Sequence, residues 1–430
     1  MRFFYFLMFF CWLQISSAQT YPALVNVEPS FIDQIDVSQL KENQIYISMP
    51  FAKNNVLNPE QKKMIYEEVL IKLELVYTKY CLSPTFNQKS LNEKRLIELK
   101  NLAPEIFETP LWGFQLISQT NGESPEMCNK MFHGFVLTFR PNSTKNNLAK
   151  EADYLNNLVN TMLKQDSINT DTTKKNYHIK THFDMKWGYL HDTIWYRDTV
   201  FPPAIPDFFY NQSLYNDSTV LNTFNRNKSW KNFIIVTDVT GSMSPYSSQV
   251  FVWLKAQAEN KTANYFVFFN DGDDKTSNKK KPLETKGIYI VENVDLKTVM
   301  DTAINCMLNG SGGGEHMEND IEAIIEGIKQ NPAADEVILV ADNYEIMRDY
   351  KFIDKIKKPV HVILCGAENR VNLQYLDLAR QTKGSIHTLY SDVFNLENIK
   401  ENEHFFIDDN EYMYKKGRFH SVYSLLDVYK

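Results

Sequence analysis

Asn232-Phe-Ile-Ile-Val-Thr-Asp238-Val-Thr240-Gly-Ser242-Met-Ser244 is the stretch on which the fold turns. Its first half is a run of β-branched and aromatic residues without polar alternation. A strand buried on both faces of a parallel sheet reads this way. Ser247 to Ala258 then carries a helical pattern. Further apolar runs at 265–269, 287–291, 336–341 and 360–364, and a closing one at 385–389, read as strands. Between them, 296–308, 320–329, 350–356 and 373–382 read as helices. Strands alternating with helices predict an α/β fold, a doubly wound and mainly parallel sheet, over residues 231–395. Such sheets place their sites beyond the carboxyl ends of the strands.

The chemistry-bearing residues fall at those ends. Asp238, Thr240 and Ser242 are spaced by two, so their side chains can converge as the chain turns. One carboxylate and two hydroxyls are hard oxygen donors suited to a small divalent cation. Gly241 lets the backbone fold closely around it. A second loop, Gly310-Ser-Gly-Gly-Gly-Glu315-His-Met-Glu318-Asn-Asp320, leads into a helix and carries acids toward the same edge. The fourth strand ends at Asp342-Asn343.

This set of motifs resembles the von Willebrand factor type A domain, a Rossmann-like fold, and its metal-ion-dependent adhesion site. The family motif Asp-x-Ser-x-Ser reads here Asp238-Val-Thr240-Gly-Ser242, with threonine retaining the first hydroxyl. A family branch carries Gly-Gly-Asp-x-Pro-Glu in its second loop. Gly313-Gly-Glu315-His-Met-Glu318 has a similar layout without the Asp or the Pro. The resemblance implies Asp238, Thr240, Ser242, Glu318 and Asp342 as ligands of Mg²⁺, or of Mn²⁺ or Ca²⁺. It also implies a protein partner that completes the coordination with a carboxylate. A metal-dependent binding or adhesion module is the leading expectation. The alternatives are an enzyme whose chemistry lies in the first half, with this domain recruiting substrate, and a structural envelope protein with an idle site.

The rest of the chain is read outward from this core. Of the 15 glycines none precedes Gly113, and the first part carries long helical patterns instead. Pro59 to Tyr80, Asn92 to Leu102 and Asn147 to Leu163 read as helices, with strands at 111–119 and 134–139. Residues 19–165 thus read as a helix-rich α+β domain. Residues 166–230, rich in aromatics around Pro202, Pro203 and Pro206, read as a connecting segment with short strands. Residues 396–430 read as a C-terminal extension. His178, His182, His191 and Asp184 cluster in the connecting segment but offer no clear third ligand for a metal.

Composition narrows the class. With 430 residues, 43% hydrophobic residues and 23% charged, the chain can bury a sizeable core. A net charge of −7 without a basic run argues against a nucleic-acid surface. Met1-Arg2, an apolar run from Phe3 to Leu13 and the small residues Ser16-Ser17-Ala18 read as a signal peptide cleaved after Ala18. The run is too short to span a bilayer. The mature chain is therefore expected without an integral membrane span, exported to the periplasm, the cell surface or the medium. Of its four cysteines, Cys81 and Cys128 are candidates for a pair, and Cys306 and Cys365 for buried thiols. Sequons at Asn227 and Asn309, among six, would matter only in a eukaryotic secretory pathway. Asn270-Asp-Gly-Asp-Asp274 reads as a solvated acidic turn balanced by Lys279–Lys281, because Lys275 stands where a calcium loop needs an oxygen. Catalytic signatures such as GxxxxGK[ST], GxSxG and HExxH are absent.

Overall fold

The computed structural model describes residues 22–41, 43–65, 69–78, 86–107, 112–140, 145–164, 175–184, 188–197, 218–257, 263–273, 275–292, 295–310, 317–367, 370–408 and 410–422. Residues 1–18, expected as a signal peptide, and Cys81, Asp274 and Glu315 lie outside them.

The first half is built on a five-stranded sheet of β1 (Ser30–Ile32), β2 (Gln44–Ser48), β3 (Val69–Thr78), β4 (Gly113–Gln119) and β5 (Gly134–Arg140), in the order β1-β4-β3-β5-β2. The helix α1 (Gln88–Leu102) supports it, starting at Asn87, whose side chain accepts the Ser90 N–H at 2.9 Å. The expected helix over 59–80 is corrected here. Its second half is the central strand β3, preceded only by short helical turns. In Lys72-Leu73-Glu74-Leu75 the leucines are fully buried and the charged residues half-buried. That period of two places the leucines on one face of the sheet.

The second half contains the seven-stranded sheet, formed by β8 (Phe233–Asp238), β9 (Ala263–Phe269), β10 (Ile288–Glu292), β12 (Glu336–Asp342), β14 (Val360–Cys365), β15 (Ser385–His387) and β16 (Asp392–Val393). Their order is β10-β9-β8-β12-β14-β15-β16. The pairings from β9 through β15 are parallel, and the edge strands β10 and β16 run antiparallel. The molecule is therefore mixed α/β, with a mostly parallel sheet as its largest layer. Every residue of β8 is buried, which explains its unbroken apolar run.

Helices cover both faces of this sheet. On one face lie α2 (Lys145–Lys164), α3 (Thr219–Arg226), α4 (Ser244–Gln257) and α5 (Leu296–Asn309), packed around Phe233, Ile235 and Phe266. The other face carries α6 (Asp320–Gln330) and α7 (Leu373–Thr382), packed around Ile234, Val236 and Leu339. Gly327 lets α6 approach closely, since a Cβ there would stand 2.8 Å from Val267 Cγ2.

The packed unit extends beyond residues 231–395. Leu148, Ala152, Leu155 and Leu158 of α2 join the core of the seven-stranded sheet, as do Val220 and Phe224 of α3. After β16 a three-stranded antiparallel meander, β17 (His404–Ile407), β18 (Asn410–Lys415) and β19 (Arg418–Ser421), packs against α7. Its Tyr412 and Phe419 are fully buried in the second core. The helix expected at 350–356 is a 3-10 turn over Tyr350–Lys355.

Between the two sheets in chain order, β6 (Lys175–Asp184) and β7 (Gly188–Arg197) form an antiparallel pair. The register sets His191 opposite Thr181, out of phase with His178 and His182. Cys128, Cys306 and Cys365 are buried and in no disulfide. Among the described residues no helix is long and apolar enough to cross a membrane.

Candidate metal centre

The site begins where β8 ends. Asp238 is fully buried, and the Val239 N–H that follows it donates to the Phe269 carbonyl at 3.0 Å, holding the loop to the end of β9. Asp238 Oδ1 accepts the Thr240 N–H at 2.8 Å, which turns the chain back. That turn brings the Thr240 and Ser242 hydroxyls to 2.8 Å from each other. Asp238 Oδ2 is buried and has no hydrogen-bond partner among the described residues.

Asp342 ends the neighbouring strand β12, whose Val340 pairs with Thr237 of β8. Its Oδ1 accepts the Tyr344 N–H at 2.9 Å. The next residue, Asn343, anchors that loop by donating to the Arg370 carbonyl at 2.6 Å. Glu318 arrives on β11 (Met317–Glu318), which pairs in parallel with β13 (Ile346–Met347). Its backbone carbonyl accepts the Arg348 N–H at 2.8 Å, so the segment is fixed from behind. The Glu318 side chain is buried and its Oε2 has no hydrogen-bond partner among the described residues. The neighbouring Asn319 amide donates to the Asn270 carbonyl at 3.4 Å, tying this segment to the loop after β9.

The charge of Asp342 acts on Asp238, and that of Asp238 on Glu318. Burial pushes the Asp238 carboxyl up to about 8, with the charges of Asp342 and Asp271 adding to it and the bonds from Thr240 opposing. Burial, then Asp238, then Asp271 push Glu318 well above the usual carboxylate range. Two ionised carboxylates with orphaned buried oxygens are unfavourable unless a cation or a proton compensates them.

A hard divalent cation fits that donor set. Asp238 would supply the direct charge, Thr240 and Ser242 neutral oxygens beside it, and Glu318 and Asp342 acidity around it. Among the described residues, no three His, Cys, Asp or Glu side chains form a metal-holding group by themselves.

The sequence reading missed Asp271. The segment 270–273 is not the solvated turn expected of it: Asn270 and Asp271 are buried. Asn270 Oδ1 accepts the Gly272 and Asp273 N–H groups at 2.8 and 2.7 Å, and its amide donates to the Cys306 carbonyl at 2.7 Å. The signal was present in position, since Asp271 lies just past the end of β9 as Asp238 lies at the end of β8. Asp320 and Asp349 were also missed. Both are fully buried, the Tyr375 hydroxyl donates to Asp320 at 3.3 Å, and burial pushes Asp349 up to about 7.

No family model, curated protein or solved structure matches this chain. The reading of the site therefore rests on its own geometry. Of the two sequons named above, Asn227 is buried with its amide donated to the Thr223 carbonyl at 3.0 Å, whereas Asn309 is exposed.

Proposed function

We propose that this chain is an exported, von Willebrand factor A-like protein that binds a protein partner through a divalent cation. The observation that carries the reading is the orphaned Oδ2 of Asp238, buried at a sheet edge beside two hydroxyls that touch each other. The sheet supports it. In order of appearance its first six strands lie 3-2-1-4-5-6, an order that reverses between β8 and β12. Asp238 and Asp342 end the two strands that flank this reversal, where such folds bind ligands.

In this reading Asp238, Thr240 and Ser242 hold Mg²⁺ or Mn²⁺, with Glu318 and Asp342 balancing its charge. A bound cation with few charged ligands supplies an electrophilic position that a partner's carboxylate can fill. The loop bonds at Thr240, Tyr344 and Arg348 keep the donors in place without the partner. Specificity then comes from the surface around the ion, and the dependence on metal is absolute.

The test is capture of a partner from the native source on the immobilised chain, with Mg²⁺ and then with EDTA. The expected result is a partner retained in Mg²⁺ and released by EDTA, and absent on the Asp238→Ala variant. Equal retention in all three conditions would contradict the reading.

A further inference from the structure

A second polar constellation lies toward the other edge of the same sheet, and the proposed function does not use it. Four contacts join five side chains across four neighbouring strands. Asp392 Oδ1 on β16 stands 2.7 Å from His387 Nδ1 on β15. His387 Nε2 is 2.6 Å from Ser385 Oγ on the same strand. Ser385 Oγ is 2.6 Å from His361 Nδ1 on β14. His361 Nε2 is 3.2 Å from Glu336 Oε2 on β12.

The Ser385-His387-Asp392 portion has the order of a nucleophile, base and orienting acid. It is not offered as a catalytic group. Ser385 and His387 are fully buried, and the serine oxygen is already engaged by two imidazoles.

Proton counting gives the chain a different meaning. Four hydrogen bonds need four protons. Ser385 brings one, each neutral imidazole brings one, and two carboxylates bring none. Three protons cannot close four bonds, whichever tautomers are chosen. The Asn227 amide, 3.3 Å from His387 Nδ1, leaves the count unchanged, because it also donates to the Thr223 carbonyl and stands 3.4 Å from Asp392 Oδ1.

We propose that the folded chain binds one additional proton in this network, held at the His361–Glu336 end, and that the network is a pH-sensitive latch across β12, β14, β15 and β16. The inference is independent of the metal reading. Several groups place the proton there. Arg226 on α3 grips Asp392 through two bonds of 2.9 Å, so Asp392 stays a carboxylate. Although burial raises its carboxyl, bonds from His387 and Arg226 hold it below the usual carboxylate range. His387 is disfavoured as the cation: burial lowers it first, and the charges of His361 and Arg226 add to that, against the pull of Asp392. At the other end the side chains of His361 and Glu336 are 13% and 20% exposed, so an ion pair there keeps some solvation. The Lys231 amide donates to the second Glu336 oxygen at 3.2 Å. Trp230 lies against both rings, with centroids 5.4 Å from His361 and 5.0 Å from His387. Loss of the proton leaves one of the four contacts without hydrogen, and the 3.2 Å contact to Glu336 is the longest. The latch then opens at that end.

The test uses the full chain labelled with ¹⁵N-histidine, which has nine histidines. Ring-nitrogen spectra from pH 5 to 9 report the charge and tautomer of each. The expected result is a His387 that stays neutral with its proton on Nδ1, and a His361 that carries both protons at the acidic end and loses one in a single step. Glu336→Gln removes the anion at the half-open end and moves that step toward acid by about one pH unit or more. A His361 neutral down to pH 5 in the wild type would overturn the proposal, as would a step that Glu336→Gln leaves in place.

Discussion

Thr240 Oγ1 and Ser242 Oγ stand 2.8 Å apart, immediately after a buried aspartate whose second oxygen has no partner among the described residues. Two hydroxyls and a carboxylate brought together in five residues form a set of hard donors. Their closeness follows from one bond, Thr240 N–H to Asp238 Oδ1, that turns the chain at the end of β8. The site is therefore a local property of the loop, and the loops of β9, β11 and β12 add acidity around it.

Asp238→Asn separates the metal role from the fold. In EDTA the variant is expected to melt no lower than the wild type, because a buried, uncompensated carboxylate has been removed. At a Mg²⁺ concentration one hundred times the dissociation constant, the wild type gains about 2.7 kcal/mol and the variant gains nothing. Thermal melts with and without Mg²⁺ check both halves.

Asp271→Asn tests the acid that sequence reasoning passed over. Its charge acts on both Asp238 and Glu318. The variant should bind Mg²⁺ about 10- to 100-fold more weakly, as expected for a group that supports ligands from behind. Unchanged affinity in a metal titration would remove Asp271 from the site.

Leu155→Ala examines the packing of α2. Leu155 is fully buried in the core of the seven-stranded sheet. A loss of about 2–5 kcal/mol is expected. Chemical unfolding followed at the tryptophans of that layer, Trp230 and Trp253, should report the full loss.

His133 sets an acid limit on the first half. Burial foremost, then the charge of Arg95, lower it to about 4, while the Met131 carbonyl, 3.1 Å from Nδ1, opposes. The folded state keeps this histidine neutral, whereas the unfolded chain protonates it near 6.5. Stability is thus fully present above pH 6.5 and is lost as the pH falls toward 4, by up to about 3 kcal/mol. His133→Gln should flatten that part of the stability curve, measured by denaturant unfolding between pH 4 and 7.

Much of the second half was legible because its strands are uniform. Phe-Ile-Ile-Val in β8 and Val-Ile-Leu-Val in β12 read as buried strands once helices are seen between them, and Asp238 and Asp342 stand at their ends. The first half was less legible. Around β3, hydrophobic residues at 64, 69, 70, 73 and 76 mimic a helical period, while the buried pattern runs through Leu73 and Leu75 at a period of two. Tertiary placement decided between them. The partner of α2 was not readable either, since an amphipathic stripe does not say which sheet covers it. Asp271 was obscured by its lysine-rich surroundings, which suggested solvent where the structure has a buried turn.

The central claim is most directly tested by calorimetric titration of the full chain with Mg²⁺ and Mn²⁺, beside the Asp238→Ala variant. The account predicts one divalent ion per wild-type chain and none on a folded Asp238→Ala chain. A wild-type chain that takes up neither ion, or a variant that binds as well as the wild type, would contradict it.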